Sequence, residues 1–518
     1  MRPRQTFLPA ALSLIVLLSL CGATQADVRL PAIFGDHMVL QRDVPIVVWG
    51  WADPGENVTV ALLRAVESKI SSNHAETRAG SDGRWSVQLP AQAIGLPVTL
   101  DVRGKNIIEV RHVLIGDVWF ASGQSNMYWP VKSSADAEKE IAAANYPQIR
   151  SFDVWKDAAA EPRDDAYGRW AVCSPQTAGN FSAAAYYFAR HLSKELKVPI
   201  GIVHASWAAS SAHPWMSREG LAADPQVKTF ADGITKQTAA SLEKFRAEFE
   251  PQWVQWRKAA AEAAAAGKEP PRRPEVSFRD EVRHVPSALY NGMVAPLVPM
   301  RIKGVIWYQG ENDVRRGMFY QKIFEALIRD WRSKWNQPEM PFLFVQLAAY
   351  QDPQAPAGSA KWAELRAAQA AALRVPRTAM ACTIDIGDAA NIHPGNKQDV
   401  GLRLALAAMK IAYGKNDVIA SGPVLKKMTV DGNRATLTFD ELGGGLTVKG
   451  DTIKGFAVAG EDRQFLPAEA RIDGDTVVVA GGQVKAVVAV RYGWADNPEC
   501  NLFNKAGLPA VPFRTDSW

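Results

Sequence analysis

From roughly Val113 to Tyr413 the chain alternates short apolar runs with helical stretches, and this alternation restricts the fold more than any other feature of its 518 residues. Strand and helix in repeated succession place the strands side by side in a parallel sheet, with helices covering both faces. The candidate strands are Val118 to Ala121, Ile200 to Ala205, Gly304 to Tyr308, Phe342 to Gln346 and Ala379 to Ile384, and the clearest helices are Ser182 to Leu196 and Val400 to Ala412. The expectation is an α/β domain over 113–415, with its chemistry at the carboxyl ends of the strands.

Both flanks have a different texture. Between 27 and 112, the runs Val44 to Trp51, Asn57 to Leu63, Trp85 to Leu89 and Val98 to Val102 are separated by Asp53-Pro54-Gly55-Glu56 and Ser81-Asp82-Gly83, which are turn signals. The same pattern returns over 416–518, in Ala435 to Phe439, Gly455 to Ala459, Thr476 to Val479 and Val484 to Val490. Each flank reads as a β-sandwich module. Inside the central domain, about 221–275, an alanine-rich polar stretch followed by Pro270-Pro271-Arg272-Arg273-Pro274 reads as a helical hairpin inserted on the surface. Its Trp253 and Trp256 share one helix face, which points to packing against the parent domain.

Arg2 and Arg4, the apolar run Leu8 to Leu20 and small residues up to Ala26 have the regions of a secretory signal peptide over 1–26, giving a periplasmic or secreted protein. Leu20 before Cys21 departs from the small residue that precedes a lipidated cysteine. No later run has the length of a membrane helix, so no membrane insertion is expected. Cys173, Cys382 and Cys500 then remain, with no CxxC spacing; this argues against a zinc site and allows at most one intramolecular disulfide. A formal net charge of +5 with no basic run excludes a nucleic-acid surface. The 17 tryptophans fit a large core, and some could stack on sugar rings.

Polar loops follow several strand ends. The first strand runs into Gly123-Gln124-Ser125-Asn126-Met127, a tight turn that presents one serine. Serine needs a histidine to take its proton and a third group to fix the imidazole. Of the eight histidines, His393 is placed best, on a loop between the last strand and a helix, while His204, His213 and His284 are harder to exclude.

These blocks carry a resemblance. Phe34-Gly35-Asp36-His37-Met38-Val39-Leu40-Gln41, Gly123-Gln124-Ser125-Asn126-Met127, Trp307-Tyr308-Gln309-Gly310-Glu311 and Ile392-His393-Pro394 with Lys397 are similar to blocks of the sialate O-acetylesterase family of carbohydrate esterases, within the SGNH hydrolase superfamily. The resemblance spans nearly the whole mature chain. It implies a three-layer α/β/α SGNH-hydrolase domain with a parallel sheet, flanked by N- and C-terminal β-sandwich modules. It also implies removal of acetyl groups from an acetylated carbohydrate, with Ser125 as nucleophile, His393 as general base and no metal or organic cofactor.

The chain departs from the family pattern at three places. Ser206-Trp207-Ala208-Ala209-Ser210 stands for Ser-Trp-Gly-Gly-Thr, so an oxyanion donor expected from a glycine would be the N–H of Ala208. Asp313 stands where relatives often have asparagine, which leaves the amides of Gln309 or Asn312 as further donors. The aspartate often found three residues before the histidine is Ala390 here. Asp388 is then the expected acid, with Asp385 behind it and a Ser–His dyad oriented by a backbone carbonyl as the alternative. The competing functional readings are a catalytically weakened sugar-binding protein and a lipase- or peptidase-like member of the superfamily. The sequence leaves open the acetylated sugar, sialate or a hemicellulose such as xylan or xyloglucan, and the oligomeric state.

Overall fold

A strand of 17 residues, β1 (Ile107–Gly123), belongs to two parts of the molecule at once. Its first half pairs antiparallel with Val98–Arg103 of the N-terminal module, and from Asp117 onward it pairs parallel with central-sheet neighbours. The expected junction at 112 therefore falls inside a strand. His112 there is left-handed (φ 56°), as is His37 (φ 69°), which stacks on it with centroids 5.2 Å apart. The buried guanidinium of Arg150 donates to both histidine carbonyls, at 3.0 and 3.5 Å. The computed structural model describes residues 27–66, 69–265, 271–274, 281–353 and 360–518, so the expected signal peptide lies outside the described residues.

The central sheet continues with β2 (Tyr146–Val154), β3 (Gly168–Cys173), β4 (Ile200–Ser206), β5 (Gly304–Tyr308), β6 (Phe342–Val345) and β7 (Thr378–Ala381), in the order β7-β6-β5-β1-β4-β2-β3. All neighbours are parallel except β3, which runs antiparallel along the edge. Parallel strands buried on both faces need no polar side, and β4, β5 and β6 are buried at every position. Trp119 and Ala121 of β1 face one hydrophobic cluster, together with helices α2 (Ala183–Leu196) and α5 (Lys397–Ile411). Val118 and Phe120 face the other, with α3 (Phe319–Lys334) and α4 (Lys361–Ala371). A short helix, α1 (Ser125–Tyr128), follows β1 directly. This is the three-layer α/β/α arrangement expected.

Where β1 enters this sheet, the buried Asp117 carboxylate accepts from Gln41 Nε2 (3.1 Å), Arg42 Nε and Nη2 (both 3.0 Å) and Tyr413 Oη (2.9 Å). One side chain thus gathers the N-terminal module, the sheet and the end of α5. The last strand is shorter than expected, ending at Ala381: Arg403 Nη1 takes the Cys382 carbonyl at 2.6 Å, and Thr383 Oγ1 turns back onto the Gln346 carbonyl at 2.6 Å.

The insertion forms helices Arg218–Ala222, Pro225–Glu248 and Glu250–Ala265. Asp224 caps the second by accepting from the amides of Gln226 and Val227, with proline in the first turn. Trp253 and Trp256 are buried against Tyr167, edge to face at 5.4 and 4.8 Å. They pack on the parent domain, as expected.

Both flanks are β structure. In the N-terminal module Lys69–Arg78 is a strand that its polar, turn-free sequence does not announce; it is paired with Asn57–Val66. The C-terminal module places the four-stranded sheet containing Arg434–Asp440 and Thr476–Ala480 over a second containing Phe456–Ala459 and Ala489–Tyr492, around Leu437, Val458, Val479 and Tyr492. It docks through a loop whose Asp496 Oδ1 accepts from the Trp362 amide (2.9 Å) in the first turn of α4.

Gly123 ends β1 with φ 137°, and a Cβ there would sit 2.1 Å from the Tyr308 carbonyl oxygen. Gly123→Ala should therefore lower stability by about 3 kcal/mol, read as a drop in the urea midpoint.

Candidate active site

Ser125 stands at the N-terminus of α1, half-buried, two residues after the glycine that ends β1. The turn is held on both sides of the serine. Gln124 donates its amide to the Tyr308 carbonyl (3.0 Å), and its side-chain Oε1 accepts from the amides of Gly310 and Asn312, both at 3.3 Å. Asn126 is buried and donates through Nδ2 to Glu311 Oε1 (2.5 Å) and the Ile392 carbonyl (3.0 Å). The neighbour of Ser125 is thus bonded to the neighbour of His393, which brings serine and histidine loops together across 266 positions of chain.

His393 lies on its expected loop, half-buried, with its ring stacked on Trp129 at 4.7 Å and 13°. Burial, and then the charge of Lys397, hold its imidazole below the usual histidine value. Lys397 is itself buried and donates through Nζ to Asn126 Oδ1 and to the Pro394 carbonyl, both at 2.7 Å. Burial pushes its ammonium down to about 7 against the opposing pull of Glu311, whose carboxyl burial pushes up. Among the described residues no hydrogen bond joins Ser125 Oγ to the His393 ring; such bonds are often loose before substrate arrives.

The expected acid is elsewhere. Asp388 is exposed, and its Oδ1 accepts from the amides of Ala390 (2.9 Å) and Asn391 (3.2 Å), so it shapes the loop instead of reaching His393. Asp385 makes a two-pronged pair with Arg403 at 2.6 and 2.8 Å.

Of the expected oxyanion donors, Gln309 is unsuited. It is fully buried, its Nε2 donates to the Ser210 carbonyl (3.2 Å) and Asp313 Oδ2 (2.8 Å), and its Oε1 accepts from Tyr320 Oη. It braces the floor of the site. Asn312 spends one Nδ2 hydrogen on Ser211 Oγ (2.8 Å) and keeps the other. The amides of Ala208 and Ser125 have no acceptor among the described residues. Asp313 poses no electrostatic obstacle to an oxyanion there, since it is buried on the Ala212 amide, Gln309 and Arg316.

A second serine–histidine–aspartate line also exists. His204 bonds Asp153 Oδ1 through Nδ1 (2.9 Å) and Ser206 Oγ through Nε2 (2.7 Å). Its access is reversed, with Ser206 buried on β4 and the Asp153 side chain 64% exposed, so a carbonyl carbon cannot reach the serine. His213 is buried, pushed down to about 4 by burial, and bonded through Nε2 to the His284 carbonyl.

The arrangement can be set beside known proteins. Residues 273–410 match the family model described as carbohydrate esterase, sialic acid-specific acetylesterase. A mouse sialate O-acetylesterase is 30% identical over 96% of this chain and 96% of its own length, and the rat protein is 29% identical over 98% of each. This chain belongs to the sialate O-acetylesterase family of carbohydrate esterases. A solved carbohydrate acetylesterase from Xanthomonas citri is 39% identical, with a TM-score of 0.79 over 95% of this chain and all of that one.

Seen as a member of the sialate O-acetylesterase family, the chain carries its alanine pair at a telling place. Ala209, and not Ala208, is left-handed (φ 56°), so the donor position itself needs no glycine while the position after it favours one. The sequence pointed to Ser125, His393, Ala208 and Asn312 in one neighbourhood. It gave no role to Asn126, Trp129, Glu311 or Lys397, although three of these lie in the blocks that carry the family resemblance and Trp129 lies two residues beyond the block that ends at Met127.

Ala209→Gly should relieve the left-handed alanine and raise stability by about 0.5–1 kcal/mol, seen as a higher melting temperature with unchanged esterase activity.

Proposed function

We propose that this carbohydrate O-acetylesterase works through Ser125 and His393 on acetyl esters of sugar hydroxyls, and that it is exported. The observation that supports the reading is the Asn126 bond to the Ile392 carbonyl, which joins the residue after the serine to the residue before the histidine. His393 takes the Ser125 proton as Oγ attacks the acetyl carbonyl. The oxyanion that forms is met by the amides of Ser125 and Ala208 and the remaining Asn312 hydrogen. Collapse breaks the bond to the sugar oxygen, which takes the proton from His393 and leaves an acetyl-serine. Water, deprotonated by the same imidazole, then releases acetate and restores the serine.

The substrate is an acetylated sialic acid, as the names of the mouse and rat relatives indicate for those proteins, or an acetylated hemicellulose; either presents the acetyl ester this chemistry needs. Acetate release from acetylated sialosides, xylans and xyloglucans separates these substrates. Ser125→Ala and His393→Ala should each lower kcat on 4-nitrophenyl acetate by about 10⁶-fold with little change in melting temperature. Absence of acetate release from every acetyl ester tried would overturn the reading and favour a sugar-binding protein.

A general base must be neutral to act, and His393 is held below its ordinary value, so it stays neutral further into acid. The acid limb of the kcat/KM profile should accordingly fall below about pH 6.5, the usual histidine value.

A further inference from the structure

We infer that His393 is oriented by a clamp in which no carboxylate bonds the imidazole: Asn126 and Lys397 pin the carbonyls on its two sides and Trp129 holds its ring. The inference rests on the reading of Ser125 and His393 as nucleophile and base. In a serine–histidine–aspartate triad the acid fixes the imidazole and stabilises the imidazolium. Here neither nearby loop carboxylate does so, because Asp388 holds the amides of Ala390 and Asn391, and Asp385 is paired with Arg403.

The orienting work is divided instead. Ile392, just before the histidine, gives its carbonyl to Asn126 Nδ2 at 3.0 Å, and Pro394, just after it, gives its carbonyl to Lys397 Nζ at 2.7 Å. The histidine's own amide donates to Asn391 Oδ1 at 2.9 Å. The backbone on either side of the ring is therefore fixed by side chains from α1 and α5. The ring lies against Trp129, whose Nε1 is anchored on the Ser133 carbonyl at 2.7 Å. The clamp is closed on itself, since Lys397 Nζ also donates to Asn126 Oδ1 and Asn126 Nδ2 also donates to Glu311.

The charged and titratable groups around this clamp are Lys397 from α5, Glu311 from the loop after β5, and the ring of Tyr308 at the end of β5, 5.4 Å from Lys397 Nζ. Asn126 lies between Glu311 and Lys397, bonded to both. A triad acid would make His393 a stronger base, whereas Lys397 makes it a weaker one. Asn126, Trp129 and Lys397 are positioning residues, with no part in bond making.

Steady-state kinetics of the full chain on 4-nitrophenyl acetate test this, with Ser125→Ala and His393→Ala as references. Asp388→Ala should keep kcat within about threefold of the parent, where loss of a triad acid's function costs about 10⁴-fold. Lys397→Met should lower kcat by about 10²-fold with KM nearly unchanged, and should shift the acid limb of the pH profile upward because a positive charge beside the imidazole is gone. Trp129→Leu should lower kcat while Trp129→Phe restores most of it. The half-buried Trp129 pair keeps the test decisive if Lys397→Met does not fold. A fall of about 10³-fold or more in Asp388→Ala would overturn the clamp. So would Trp129→Leu with parental kcat, or a folded Lys397→Met with unchanged kcat and acid limb. Full activity in Ser125→Ala would instead overturn the nucleophile assignment beneath it.

Discussion

The continuity of one backbone, from Ile107 to Gly123, is the constraint on which the molecule depends. A strand paired with Val98–Arg103 in one module and with the central sheet in the next fixes the two modules in a single register. A one-residue slip at either end would turn Trp119 and Phe120 to the wrong layers. Asp117 marks the point where this register is set. Its buried carboxylate accepts from the N-terminal module and from Tyr413 beyond α5, and those donors offset the cost of removing a charge from water. Downstream, the same strand delivers Ser125 to its turn.

The site is built from buried polar groups bonded to one another. Isolated, Glu311 and Lys397 would each be costly to bury; Asn126 lies between them, donating to Glu311 Oε1 and accepting from Lys397, while Glu311 Oε2 is buried without a partner among the described residues. This arrangement spans three segments far apart in sequence. It explains why the loop with His393 can be short, exposed around Asp388 and still hold the histidine in place.

Much of the fold was legible because parallel strands buried on both faces are continuous apolar runs. Gly304–Tyr308 was read to the residue, Ile200–Ser206 to within one, and Ser182 accepts from the Ala185 amide as the cap that opens α2. Lys69–Arg78 escaped because a polar edge strand has no apolar signature. At the site, Ser125, two residues after a glycine, and loop-borne His393 stand out by residue type and position. Asp388 and Gln309 were misplaced for a common reason. A sequence shows which side chains could donate or accept, whereas their partners, here the amides of Ala390 and Asn391 and the groups of Ser210, Asp313 and Tyr320, come from folding. The Ser206–His204–Asp153 line shows the converse, a constellation of the right chemistry with the wrong end open to water.

Asp496 gives the C-terminal module a different standing from an appended domain. The N-cap position of helix α4 is Ala360, which has no side-chain acceptor of its own, and the acceptor for its first turn arrives from 134 residues away. The helix in turn carries Gln369, whose amide holds the Gln309 carbonyl at 3.1 Å. A contact between modules is thereby relayed through a borrowed helix cap to the backbone beneath the site. Although it supplies no reacting group, the C-terminal module is a foundation of the catalytic floor.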